Sequence, residues 1–205
     1  MLISDLDAPE STGEPRPRWR RQIPRDVVLI VVGALLAFAS EEVRDARHRR
    51  ARIDAAVASI RDELVANRSL VAHSLERHRF LADTLGKLLA HHRQPDVTIY
   101  TNSMWNPAMV TSTAWQAARE TGALGDMPLA TVLSVAPAYE MQERYRILAE
   151  ALNSAILNDA RRDGMEKVLR DRFAQFIPLD VDFSHREAGL LDVYSKALAQ
   201  LDQRR

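Results

Sequence analysis

The hydrophobic and polar positions of the chain divide it into four parts. Residues 1–22 are polar, contain three prolines and show no apolar periodicity, which is typical of a disordered tail. One uninterrupted apolar run follows at residues 27–39. From residue 44 to residue 92 apolar side chains recur at spacings of three and four, and residues 93–205 carry shorter helical patterns. The pattern therefore predicts a tail, an apolar helix, a long amphipathic helix and a helical domain.

The apolar run is predicted to be a membrane anchor. Thirteen helical residues rise about 20 Å, less than the roughly 30 Å hydrocarbon core of a bilayer. Pro24 is a favourable first helical residue, so we predict a helix over residues 24–43, in which Arg25 reaches toward the headgroups and Trp19 lies at their level. Bilayer thinning costs only fractions of a kcal/mol per Å. The anchor residues are Val27, Val28, Leu29, Ile30, Val31, Val32, Gly33, Ala34, Leu35, Leu36, Ala37, Phe38 and Ala39.

Two other interpretations of this run stay open. The run can be a buried helix of a soluble bundle, since its length alone fits one. It can also be the apolar part of a signal peptide, because five arginines precede it and Ala37-Phe38-Ala39 fits an A-x-A cleavage site. Cleavage after Ala39 would release an exported soluble periplasmic binding protein that begins at Ser40.

The long amphipathic helix, residues 44–92, is predicted to be a stalk. Polar residues Asn67, Ser74 and His78 lie at seam positions where apolar side chains are expected, and such buried polar residues set the register of helical bundles. We expect a homo-oligomer or a membrane-protein partner to bind through this helix. The apolar seam consists of Ile53, Val57, Ile60, Leu64, Val71, Leu81, Leu85 and Leu88.

Residues 93–205 predict several shorter helices. Pro137 and Pro178 are expected to separate them, because proline lacks the amide hydrogen that a helix interior needs. Ser184 and Glu187 have the spacing of a capping box, which predicts the start of the last helix.

These patterns predict an all-α fold class, in which an N-terminal transmembrane helix continues into a long stalk helix that packs with a small helical bundle. The predicted organisation is a disordered tail (1–22), a transmembrane anchor (24–43), a long amphipathic stalk helix (44–92) and a helical domain that packs on the stalk (93–205).

Composition narrows the function classes. The 28 basic residues balance the 28 acidic ones, so charge gives no reason to expect a nucleic-acid partner. The chain has no cysteine, which excludes disulfides, thiolate metal sites and cysteine nucleophiles. Arginine counts tie on the two sides of the apolar run, and the short tail is the easier segment to leave in the cytoplasm. This predicts a single-pass protein of the bacterial inner membrane with a periplasmic C-terminal domain.

The histidines and acids do not have the spacing of a metal site. Zinc-binding helices place two ligands at i and i+4, whereas His73 and His78 are five residues apart. His78 is therefore predicted to be a hydrogen-bonded histidine of the bundle. Asp180, Asp182 and His185 are interpreted as side chains before the last helix, where acids are favourable. No metal and no cofactor is predicted.

Residues 105–120 combine aromatic side chains with hydroxyls. Thr111, Ser112 and Thr113 lie where a helix needs N-caps, and no G-x-S-x-G element or phosphate loop occurs. A non-enzymatic protein is therefore predicted. An enzyme that uses residues 105–120 stays open, and it would need a concave pocket with titratable groups of perturbed pKa there.

Several segments resemble an uncharacterised bacterial family of short single-pass membrane-anchored helical proteins. The sequence RDVVLIVVGALLA at residues 25–37 is similar to the span of that family. Glu63-Leu64 and Asn67 match a following E-L-x-x-N/D stretch. The later segment from Trp115 to Leu124 matches a W-x-x-x-x-x-(T/S)-G-x-L element. The resemblance implies a helical extramembrane domain and supplies no catalytic residues.

The sequence as a whole thus predicts a non-enzymatic interaction, scaffold or sensing module whose first partner is the lipid bilayer.

Overall fold

The computed structural model describes residues 25–100 and 107–203, and these residues form helices without a strand. The predicted all-α class is confirmed, as is the packing of a long helix against a helical bundle. The predicted tail, with Trp19, and Pro24 lie outside the described residues. The elements are α1 (Arg25–Ala90), a 3₁₀ turn (Val97–Tyr100), α2 (Thr113–Glu120), α3 (Ala123–Asp126), α4 (Leu129–Asp163), α5 (Met165–Asp171) and α6 (Phe173–Asp202).

The chain divides into two compact units, Met1–Ala46 and Arg47–Arg205. In the first unit every side chain of residues 27–46 is exposed. Among residues 25–100 and 107–203, no helix combines the length and the apolar character that crossing a membrane requires. The apolar run of residues 27–39 is followed by Glu41 and Glu42 and preceded by Asp26. The transmembrane part of the predicted fold class is therefore without support from the described helices.

The core of the unit Arg47–Arg205 forms where one stripe of α1 meets α4 and α6. Of the predicted seam, five apolar side chains are buried and the other three are half-buried, so the seam is confirmed. The periodicity placed these residues correctly because the stripe packs along the whole bundle. The seam residues Ile60, Leu64 and Val71 form one buried cluster with side chains of α4 and α6 that include Tyr139, Tyr145, Phe183, Leu190 and Tyr194. Leu81 and Leu85 form a second buried cluster with Tyr100 and Leu169.

The prolines do not separate helices as predicted. Pro137 lies inside α4 and Pro178 lies inside α6. An interior proline costs roughly 3 kcal/mol. Side chains on both sides of Pro137, such as Val135 and Tyr139, are buried, and their burial stabilises the fold by more than the proline costs. The expectation was wrong because tertiary packing outweighs local propensity here.

The predicted capping box at Ser184 is also wrong. Ser184 lies in the middle of α6, and its Oγ donates a hydrogen bond to the carbonyl oxygen of Asp180 at 2.8 Å. At the start of α2 the preceding Ser112 makes no capping bond with its side chain. Instead Glu63 of α1 accepts a hydrogen bond from the backbone N–H of Ala114 at 2.9 Å. A distant carboxylate thus caps α2 in place of a local hydroxyl.

The C-terminus of α1 is closed by a Schellman motif. The N–H of Arg93 donates to the carbonyl oxygen of Leu88 at 2.9 Å, and the N–H of His92 donates to that of Leu89 at 3.1 Å. His92 has a φ of 53°, a left-handed conformation that favours glycine. No other non-glycine residue of the described ranges has a positive φ.

We expect His92→Gly to stabilise the protein by about 1 kcal/mol, because glycine adopts this φ without the steric penalty of a Cβ atom. The free energy of unfolding in urea measures the change. The control His91→Gly relieves no positive φ and should give no gain. A loss of stability in His92→Gly would contradict the role assigned to this motif.

Candidate functional site

The polar residues of the predicted seam lie in the core. Asn67, Ser74 and His78 are 1%, 4% and 0% exposed, which confirms their placement on the buried face of α1. Burial of a polar side chain is unfavourable unless it is hydrogen-bonded. Partners for these side chains come from other elements of the unit.

Asn67 is the centre of the first group of contacts. Its Nδ2 donates to the carbonyl oxygen of Thr111 at 2.8 Å and to Oε1 of Gln142 at 3.1 Å. In return, the N–H of Thr111 donates to Asn67 Oδ1 at 3.0 Å. Gln142 donates from Nε2 to the Thr111 carbonyl at 2.7 Å, and its Oε1 also accepts from Tyr194 Oη at 2.8 Å. These bonds tie α1, the segment before α2, α4 and α6 together.

Glu63 is the centre of a second group, one turn before Asn67 on α1. Its carboxylate accepts hydrogen bonds from Tyr139 Oη at 2.6 Å and from Thr111 Oγ1 at 3.2 Å, besides the bond from Ala114. Burial, and then the bond to Glu63, raises the pKa of Tyr139 far above its usual range. The phenol therefore stays protonated and donates to Glu63 at physiological pH.

His78 and Glu187 form a buried pair between α1 and α6. His78 Nδ1 lies 2.9 Å from Glu187 Oε2, and both side chains are fully buried. Tyr145 of α4 donates from Oη to Glu187 Oε1 at 2.7 Å and accepts from the N–H of Ala108 at 2.8 Å. The ring of Phe183 lies 5.5 Å from that of His78 and 5.4 Å from that of Tyr145. The prediction of a hydrogen-bonded bundle histidine is confirmed.

Asp180 is a buried carboxyl close to this pair. It is 5% exposed, and burial raises its pKa to about 7, with a smaller contribution from Glu187. His78 and Arg77 oppose this increase. Burial, and then the charge of Asp180, raises the pKa of the Tyr100 hydroxyl, which has no hydrogen-bond partner among the described residues.

The interpretation of Asp180, Asp182 and His185 as residues before a helix is wrong, because all three lie inside α6. Asp182 accepts a hydrogen bond from Arg186 at 2.7 Å, and His185 is exposed. Among residues 25–100 and 107–203, no three histidines or acids are placed to hold a metal ion.

An open groove of ≈ 680 Å³ lies between α2 and α4. Its walls are mostly polar, with one aromatic wall in which Trp115 stacks on Tyr139, their ring centroids 4.9 Å apart and their planes 19° apart. Trp115 is half-buried and packs against the apolar core, so its ring is held on one side. The groove is lined by Ser112, Trp115, Gln116, Arg119, Ala136, Tyr139, Glu140, Gln142, Glu143 and Arg146.

The two acids of the groove are paired with arginines. Glu140 accepts a hydrogen bond from Arg144. Glu143 accepts two from Arg146, at 2.6 and 2.8 Å, and Arg146 also donates to Glu150. The hydrogen bond from Arg146 lowers the pKa of Glu143. Glu143 is thus held ionised at neutral pH, and each of the two acids has an arginine partner.

An enzyme that uses residues 105–120 would need a concave pocket in that region, and the groove can be compared with this requirement. It is concave, and Trp115 and Arg119 of that range line it, whereas Trp105 lies outside the described residues. The Oγ of Ser112 accepts a hydrogen bond from Gln116 rather than contacting a base. Within the described lining, no nucleophile lies beside a general base.

The chain was compared with protein-family models, curated proteins and solved structures. No family model, curated protein or solved structure matches the chain. The resemblance to a family of anchored proteins stays a prediction.

Sequence reasoning missed Gln142 and the role of Glu187. A signal was present, because Gln142 lies midway between Tyr139 and Tyr145 at helical spacing. Glu187 likewise lies four residues after Phe183 and three before Leu190. A helical pattern continued through Pro137 and Pro178 would have placed both polar residues on buried faces.

We expect Asp180→Asn to change how stability depends on pH. The carboxyl has a pKa near 3.8 when unfolded and about 7 when folded. The contribution of this carboxyl to stability is therefore fully present below about pH 4, and up to roughly 4 kcal/mol of it is lost as the pH rises to about 7. The variant should lack this loss in urea unfolding measured from pH 4 to pH 8. The control Asp182→Asn should follow the wild type. If the unfolding free energy of Asp180→Asn changed with pH in the same way as that of the wild type, the raised pKa assigned to Asp180 would be contradicted.

We expect Glu187→Ala to destabilise the protein by about 3–5 kcal/mol, because it leaves His78 and Tyr145 buried without their carboxylate partner. Glu166→Ala removes an exposed carboxylate that pairs with Arg170 at 2.6 Å, and it should cost less than about 1 kcal/mol. Urea unfolding compares the two. Equal losses of unfolding free energy in the two variants would contradict the large contribution assigned to the buried pair.

Proposed function

We propose that this chain is a non-enzymatic, membrane-anchored helical interaction or sensing module of the bacterial inner membrane, with its C-terminal domain in the periplasm. The observation that carries the proposal is the exposed apolar segment, residues 27–39 of α1. The proposed partner of this segment is the lipid bilayer.

The apolar segment is exposed on every face of the helix. Ile30 and Phe38 are each 70% exposed, and Leu29, Leu35 and Leu36 are each above 60%. Apolar surface in water costs about 25 cal/mol per Å², and large contiguous patches mark contact sites. A helix that is apolar all round is suited to lipid or to a protein interior rather than to water.

Length is the main physical difficulty of an anchor here. Thirteen residues rise about 20 Å, so a full span needs either thinning of the bilayer or helical residues at the flanks that reach the headgroups. The proposal therefore predicts an anchor whose uncharged apolar part is shorter than the roughly 17–25 residues usual for a span, with flanking helical residues completing it.

Beyond this segment, α1 does not present a second exposed apolar stripe within residues 47–90. Val65, Leu70, Phe80 and Leu89 are exposed, but they lie on different faces at 100° per residue. Single exposed apolar residues are normal at protein surfaces. A second copy or a membrane protein as partner of the stalk therefore stays a prediction, and we place the lipid contact on residues 27–39 alone.

A second candidate is an exported soluble periplasmic binding protein, released by cleavage near Ala39. The A-x-A pattern at residues 37–39 and the groove between α2 and α4 favour it. Cleavage after Ala39 would remove the apolar segment and its solvation cost together.

We expect full-length protein with a C-terminal tag to stay in the membrane pellet after a carbonate wash. The double variant Ile30→Asp/Leu35→Asp should move to the supernatant, because charges in the hydrocarbon region are costly. Leu129→Asp/Leu133→Asp is the matched control, since these leucines of α4 are 71% and 62% exposed. This control should remain in the pellet.

Other outcomes of the same blot separate the candidates. A soluble band shortened by about 39 residues would support the exported protein instead. A soluble full-length band would contradict both candidates and favour a buried helix.

A further inference from the structure

We propose that the groove between α2 and α4 is a binding site for a small organic anion with a flat unsaturated ring. The ring would lie against Trp115, and the carboxylate would bind the guanidinium of Arg119. This inference goes beyond the proposed membrane attachment and does not depend on it.

The size of the groove suits such a ligand. Its volume of ≈ 680 Å³ lies within the several hundred Å³ typical of small-molecule sites. Trp115 lies in its wall with one face of its ring stacked on Tyr139, and the aromatic ring of a ligand would pack against the part of the indole that lines the groove.

The aromatic wall is fixed before any ligand binds. Tyr139, which stacks on Trp115, donates its hydroxyl to Glu63 at 2.6 Å. Gln142, which also lines the groove, is held by Tyr194 and Asn67. The ordering of side chains is a major cost of binding. The side chains of this wall are already held in place in the folded protein, so a ligand does not have to order them.

The charges of the groove favour an anion near Arg119. Glu140 and Glu143 are compensated by Arg144 and Arg146, as described above. The guanidinium of Arg119 makes no ion pair or hydrogen bond with residues 25–100 and 107–203, and the side chain is exposed. A guanidinium binds a carboxylate through two parallel hydrogen bonds, which orients the ligand as well as attracting it.

A purely structural role for Arg119 predicts something different. It lies in the last turn of α2, where a cation stabilises the helix dipole by less than about 1 kcal/mol. That role would change stability when Arg119 is replaced, but it would give no ligand selectivity. Binding measurements therefore distinguish the two.

The test uses the purified full-length chain and benzoate as the probe. The indole N–H resonance of Trp115, assigned among the three tryptophans with Trp115→Phe, is followed by NMR during titration. We expect a saturable shift with benzoate. Benzamide lacks the charge and cyclohexanecarboxylate lacks the flat ring, so each should bind about tenfold more weakly or worse.

Two arginine variants complete the test. Arg119→Gln should weaken benzoate binding by about tenfold or more. Arg170→Gln, which removes an arginine of α5 paired with Glu166, should leave binding unchanged. No shift with benzoate, equal binding of benzamide, or wild-type affinity in Arg119→Gln would each overturn the proposal. Thermal unfolding of each variant checks that it is folded, and membrane fractionation is scored separately.

Discussion

The hydrogen bonds of the polar side chains that α1 brings to the core govern the rest of this structure. Asn67 and His78 place an amide and an imidazole in an apolar interior, where an unpaired group costs more than a single hydrogen bond gains, and the half-buried Glu63 adds a carboxylate at its edge. Their partners lie on α4, on α6 and in the segment before α2. One register of the helices satisfies these contacts together, and sliding α1 by a turn would break them all.

The groove is a consequence of the same contacts. The segment before α2 is a loop, and Asn67 and Glu63 bind the backbone N–H groups of Thr111 and Ala114 and set where α2 begins. This places Trp115 against Tyr139, whose hydroxyl is bound by the same Glu63. A surface feature with the dimensions of a binding site thus follows from polar residues in the core.

Sequence reasoning succeeded where one physical effect dominates. Apolar periodicity located the seam of α1 and the polar positions within it, because burial decides those positions. It failed at Pro137, Pro178 and Ser184, because local rules for proline and caps were applied where tertiary packing is stronger. It could not find the groove, since Trp115 and Tyr139 are brought together only by the fold. For residues 27–39 it correctly identified an apolar helix, which the structure has as an exposed part of α1.

Hydrogen exchange of three backbone amides tests the central claim most directly. The amides of Ala108, Thr111 and Ala114 donate to the side chains of Tyr145, Asn67 and Glu63, outside any helical ladder. If these side chains hold the bundle together, the three amides should exchange with protection close to that of buried helical amides. The amide of Met109, whose side chain is 78% exposed, is the comparison within the same segment. Exchange of all three at the rate of an unprotected loop would contradict the account.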